Sequence, residues 1–124
     1  MPDDPLSRVR RICLALPDAT EQEAWGEPTF RVRKKIFAMY ASASNHHGGG
    51  EDALWCKAAL GVQEILVRTD PHTYFSPPYV GVNGWIGIRL GSIPDAALRE
   101  HVVESYCLVA PKKLQALVDG GAGA

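Results

Sequence analysis

Arg31, Arg33, Lys34 and Lys35 place four positive charges within five residues, the densest basic run of the chain. Clustered cations can neutralise phosphates, because each contact releases counterions condensed on a nucleic acid. Their setting is a strand. Phe30 and Val32 alternate with Thr29, Arg31 and Arg33, the period-two pattern of a strand with one dry and one wet face. A second apolar run begins at Ile36, so Arg33, Lys34 and Lys35 gather at the tip of a hairpin. Two further residues are suited to nucleic acid. Trp85 could stack on a base or wedge into a groove, and Asn83 could reach a base edge. Each also has a structural reading. Surface lysines and arginines serve solubility, a tryptophan that opens a strand packs, and an asparagine before glycine makes a turn.

Other groups offer less. His46 and His47 stand beside Gly48-Gly49-Gly50; a metal site needs further ligands held rigidly, which a triple glycine opposes. No metal and no cofactor are expected. Glu21 and Glu23 fall on one side of a strand without a nearby partner acid, base or nucleophile. Ser42, Ser44 and Ser105 lack a nucleophile elbow or triad setting, and no glycine loop has phosphate-cradling spacing. His72 and His101 are isolated, the latter near the apolar face of the last helix. Cys13, Cys56 and Cys107 contain no CxxC pair, which excludes a zinc knuckle and suits free thiols in a reducing cytosol. No catalytic residues are assigned, and the chain reads as a binding protein rather than an enzyme.

With 124 residues, the sequence suffices for one domain. Residues 1–118 form that domain and 119–124 a Gly/Ala-rich tail. Hydrophobic residues make up 46% and charged residues 22%, with a formal net charge of −1. That balance is globular, and it argues against a non-specific nucleic-acid binder driven by total charge. Phosphate binding must come from local clustering. No apolar run approaches the roughly 18 residues of a membrane span, and the acidic, proline-containing start does not suit a signal peptide. A cytoplasmic protein is expected.

The elements that position these groups follow from the pattern. Asp4 caps a helix with Pro5 in its first turn, and Leu6, Val9, Ile12, Cys13 and Leu16 mark its dry face, with Arg8 and Arg11 on the wet one. Thr20 to Trp25 is a charged edge strand. Glu27-Pro28 breaks the chain before the Phe30 strand. Ile36 to Ala43 is apolar enough for a strand covered on both faces. After a loop, Leu54 to Ala58 is a strand, and Val62, Ile65, Leu66 and Thr69 line a short helix ended by Asp70-Pro71. Thr73 to Phe75 is a short strand. Tyr79 to Val82 and Trp85 to Leu90 flank Asn83-Gly84, a strong hairpin signal. Pro94 opens a helix with Leu98, Val102, Tyr106 and Val109 on its apolar stripe, and Lys112 onward adds a turn or two after Pro111. The order defines an α+β fold: a single domain, a mostly antiparallel sheet, helices packed on one face and the other face partly solvated.

Pro28-Thr29-Phe30-Arg31-Val32 followed by Lys35-Ile36-Phe37-Ala38 resembles the signature of the MmcQ/YjbR family. Leu54-Trp55-Cys56-Lys57, Trp85, and Pro94-Asp95 with Glu104-Ser105-Tyr106 extend the resemblance over Leu6 to Leu114. The resemblance implies a frataxin-like (CyaY-like) architecture in which two hairpins act as wings on double-stranded DNA. Arg31, Arg33, Lys34, Lys35, Asn83 and Trp85 would then be the contacts, with weak sequence specificity. Two departures stand out. Arg33-Lys34 occupies a tip where similar proteins carry glycine, which predicts a wider loop, and Val82-Asn83-Gly84 replaces basic residues before Trp85. The alternative reading is a small-molecule or protein-interaction module, with Trp25, Tyr40, Trp55, Tyr74, Phe75 and Trp85 lining a cleft beside the sheet.

Overall fold

A computed structural model describes residues 4–43 and 51–118; His46 and His47 lie outside them. The chain opens with helix α1 (Pro5–Cys13). Strands β1 (Ala19–Ala24), β2 (Glu27–Val32), β3 (Lys35–Ala41) and β4 (Ala53–Cys56) follow. Helix α2 (Val62–Thr69), strands β5 (Tyr74–Phe75) and β6 (Ile86–Arg89), and helices α3 (Asp95–Val109) and α4 (Lys112–Gln115) complete it. All strand pairings are antiparallel, in the order β1-β2-β3-β4-β6-β5. Among the described residues, no helix is long and apolar enough to cross a membrane.

The start of α1 obeys its sequence. Asp4 accepts a hydrogen bond from the Ser7 amide at 2.7 Å, with Pro5 in the first turn. That bond holds the Asp4 carboxyl below its usual range. Arg8 departs from the expected wet face. Its guanidinium is largely covered and donates to the Leu90 and Ile93 carbonyls and to Asp95, so it ties α1 to the entry of α3. The stripe prediction omitted it because helical period alone does not show a neighbouring loop with unpaired carbonyls.

Strand pairing sorts the sheet into two faces. Phe30, Ala38, Cys56 and Ile86 stand opposite one another on successive strands, as do Tyr40, Leu54, Ile88 and Tyr74. These residues join Val9, Ile12, Leu98, Val102 and Tyr106 in the main core, so the helices cover this face. The β2–β3 register slips between Phe30 and Arg31, where Phe30 pairs with Ala38 and Arg31 with Ile36. Phe37 is the extra residue of the bulge. A bulge turns a side chain out of strict alternation, and Phe37 is fully buried against Tyr106, ring centroids 5.4 Å apart. Ser105 Oγ donates to the bulged Phe37 carbonyl at 2.5 Å and accepts from the Lys57 amide at 2.9 Å.

Three loops differ from expectation. Strand β2 starts at Glu27 and takes Pro28 within it, opposite Glu23 of the edge strand; proline is tolerated there because its residue faces only the sheet's outermost strand. The Arg33-Lys34 tip is a tight two-residue turn, not a wider loop: Val32 pairs with Lys35, with φ at 50° for Arg33 and 72° for Lys34. Strand twist demands that left-handed pair, and a long paired hairpin can impose it on non-glycine residues. The Asn83-Gly84 hairpin does not form. Gly81–Asn83 is a turn of 3-10 helix, and Gly84 alone takes positive φ. Strand β6 pairs with β4 and β5 instead, because Pro77-Pro78 removes two amides from the segment that would have been its partner.

Candidate functional site

The face of the sheet opposite the helices carries the site. Thr29, Met39, Ala41, Ala53, Trp55 and Gly87 lie on it by pairing register. Ala41, Ala53 and Trp55 form a small second core, against which Met39, Phe75, Val80 and Trp85 pack. Gly87 is needed there, since a Cβ at this position would stand 2.4 Å from the Phe75 ring. Arg89 lies over that ring, 4.8 Å from its centroid. The segment after Pro77-Pro78 crosses this face and is pinned by Gln63 Nε2, which donates to the Gly81 and Trp85 carbonyls at 2.8 and 2.6 Å.

Between the β1–β2 turn and this crossing segment lies a cleft of about 430 Å³, within the size range of small-molecule sites. Met39, Trp55, Thr29 and Ala41 contribute to its lining from the sheet, with Trp25 and Tyr79 from the two turns. The buried Trp55 and Thr29 make the floor, while Trp25 and Tyr79 are 77% and 75% exposed. Both exposed aromatics sit at positive φ, 56° and 66°, a region bulky side chains rarely adopt. Trp25 is the first residue of a two-residue turn with Gly26, Ala24 pairing with Glu27.

Two polar residues of the cleft, Thr29 and Glu27, are engaged by the protein. Thr29 Oγ1 donates to the Gln22 carbonyl at 2.5 Å and accepts from Arg31 Nε at 3.2 Å. Glu27 Oε2 accepts from the Ser42 amide and hydroxyl at 2.8 and 3.0 Å. On the helix face, burial, reinforced by a hydrogen bond to Asp52, pushes the Tyr40 phenol far above its usual range, so it stays protonated. Among the described residues no group of three or more histidines, cysteines and acids could hold a metal. Burial likewise raises the Cys13 and Cys56 thiols well above their ordinary value.

The sequence-predicted contacts fall into three places. Lys34 and Lys35 are exposed at the hairpin tip, and Arg33 beside them forms an ion pair with Asp18 at 3.1 Å. Arg31, expected in water, is half-buried on the open face against Thr29, and Thr29 itself is buried rather than wet. The edge strand β1 and the cleft enclose what alternation alone assigned to solvent. Asn83 is exposed on its 3-10 turn, and Trp85 packs into the open-face cluster. Register puts Lys35, the end of β4 and the start of β6 at one end of the sheet. Of the aromatics predicted to line a cleft, Trp25 and Trp55 do so from this face, and Tyr40 borders it from a position whose side chain packs in the helix-face core. Phe75 and Trp85 pack beside it, and Tyr74 lies on the helix face, its hydroxyl 2.7 Å from His101 Nε2. Tyr79, Met39 and Glu27 were missed; Tyr79 directly follows Pro77-Pro78, a signal that it belongs to a turn rather than a strand.

An antiparallel six-stranded sheet with four helices among its described residues, and a cleft on the uncovered face, defines an α+β domain of a recognisable class. The YjbR family profile matches residues 14–108, and the chain belongs to that family. The fold is similar to the crystal structure of the Deinococcus radiodurans protein DR2400, which carries the DUF419 domain. The TM-score is 0.75 at 20% identity, covering 95% of this chain and 96% of that one. No curated protein matches the sequence.

Proposed function

We propose that the protein is a non-enzymatic binding module whose working site is the aromatic cleft on the open face of the sheet. One observation carries this reading: Trp25 and Tyr79, two large and mostly exposed aromatics, are held in left-handed backbone at the rim of an apolar cleft. Left-handed backbone costs a bulky residue about 1–2 kcal/mol, and such strain concentrates at ligand clamps and functional turns. The internal bonding of Thr29 and Glu27 favours binding over chemistry. A cytoplasmic setting belongs to the same proposal, supported by three free thiols. The test is a fragment screen by two-dimensional NMR. Apolar and aromatic fragments are expected to shift the Trp25, Met39 and Trp55 signals together. Hits that cluster elsewhere, or none at millimolar concentrations, would reject the cleft.

A second reading has its own support. Lys34 and Lys35 project from a tight hairpin tip with Arg33 beside them, a shape able to meet DNA phosphates. Asp18 already engages Arg33, and the expected second hairpin is a 3-10 turn, so the contact would rest on one wing. With roughly three phosphates neutralised, log affinity for duplex DNA should fall with log salt at a slope of about −2.7. Fluorescence anisotropy on a short duplex measures it; a salt-independent signal would exclude phosphate contact.

A further inference from the structure

We propose that the cleft selects a small organic cation, a quaternary or alkylated ammonium group carried by a free small molecule. The inference rests on the cleft being the ligand site. Trp25, Trp55 and Tyr79 present aromatic rings to one small volume, and Met39 adds a polarisable thioether. An aromatic face attracts a cation through its quadrupole, most strongly for tryptophan, and several faces around one methylated ammonium make the usual cage for it. A neutral apolar ligand would need only the aliphatic part of this lining.

Charge points the same way. Among the described lining residues Glu27 is the one carboxylate, and none is a lysine or an arginine. Its Oε2 atom is held by the Ser42 amide and hydroxyl, which fixes the carboxylate beside the aromatic rings rather than leaving it to swing into water. A half-buried carboxylate next to apolar walls is poorly solvated by them, so a cation entering the cleft gains both its charge and the aromatic faces. Two cations, Arg31 and Arg89, also stand on this face, and neither is among the lining residues. Arg31 sits two residues along β2 from Thr29, with its Nε bound to that hydroxyl at 3.2 Å.

Volume limits the guest. About 430 Å³ admits a compact ammonium compound with a modest tail. The strained rim fits this role, because Trp25 and Tyr79 can stack on a methylated cation only where their turns hold them.

Choline is the probe, in a titration followed by NMR shifts of the isotope-labelled full chain. It is compared with its uncharged carbon analogue, in which a tert-butyl group replaces the trimethylammonium, and with tert-butylacetate, which carries the opposite charge. Choline should bind about tenfold more tightly than the carbon analogue, a difference of about 1.4 kcal/mol. The Glu27→Gln variant keeps an acceptor for Ser42, and should narrow that preference to within about threefold. Equal binding of choline and the carbon analogue would overturn the cation preference while the cleft reading stood. Tighter binding of tert-butylacetate would overturn it and transfer the site to Arg31. Silence from all three, in a cleft that indole does perturb, would overturn it as well. Silence that includes indole would remove the cleft reading itself.

Discussion

At the scale of single residues, Trp25 concentrates the tension between folding and binding. It occupies the first position of a two-residue turn, at φ 56°, where asparagine or glycine is the ordinary choice. Its side chain is 77% exposed, so it contributes little burial in return. Trp25→Asn should therefore raise the unfolding free energy by about 0.5–1 kcal/mol while weakening cleft ligands severalfold. Urea denaturation and the NMR titration read the two effects separately. A destabilised variant would mean that Trp25 is a packing residue and that its backbone strain has no functional meaning. Tyr79 follows the same logic in a less regular turn. The basic residues divide at this scale too. Arg31 and Arg33 have protein partners in Thr29 and Asp18, whereas Lys34 and Lys35 lie exposed on the turn, and sequence alone could not separate them.

At the scale of elements, what was legible in the sequence is what depends on neighbours along the chain. The capped start of α1, the charged edge strand β1, the stop of α2 at Asp70-Pro71 and the stripe of α3 all follow from local spacing and cap chemistry. What depended on partners across the sheet was not legible. The Phe37 bulge redirects one side chain, and the β6 pairing with both β4 and β5 overrides the Asn83-Gly84 signal. Tyr79 reaches the cleft only because Pro77-Pro78 leaves the sheet. The β5–β6 contact gives a direct test. Gly87→Ala would drive a Cβ to 2.4 Å from the Phe75 ring, and overpacking of this kind costs about 1–3 kcal/mol. Phe75→Leu should partly restore stability in the double variant, whereas additive losses would deny the clash. The contact of α3 with β5 adds a pH dependence. Burial lowers the His101 pKa from its ordinary 6.5, against the opposing pull of Glu104 and Glu100. The neutral ring can accept from the Tyr74 hydroxyl, whose own pKa burial raises. Above pH 6.5 the ring is neutral in both folded and unfolded chains and adds no pH dependence. As the pH falls below that value the unfolded chain takes up the proton first, so stability should be lost down to the folded-state pKa. Denaturation midpoints measured from pH 7.5 to 5 should show this fall, and His101→Gln should flatten it.

For the whole molecule, the two candidate surfaces are separable. The hairpin tip lies where β3 begins, at the sheet end shared with the start of β6, while Trp25 and Glu27 lie at the opposite end of β2. Strand β2 spans six residues, a length of about 20 Å, and effects at sites that far apart normally add. A double variant Lys34→Glu, Lys35→Glu should therefore lose any salt-dependent affinity for duplex DNA while its cleft titrations match the wild type. Glu27→Gln and Trp25→Asn should do the reverse. Thermal melting of each variant checks that the fold is retained, and the exposed lysines should change it by no more than about 0.5 kcal/mol. The chain's net charge of −1 sharpens the comparison, because a near-neutral molecule has no general attraction for DNA, and reversal of two tip charges should remove whatever binding exists. If the tip variant also lost its cleft ligand, the open face and the hairpin would form one continuous site reaching along β2 through Arg31 and Thr29. If DNA binding survived the tip variant, the phosphate contacts would lie outside Lys34 and Lys35, and the hairpin would be a solvated turn.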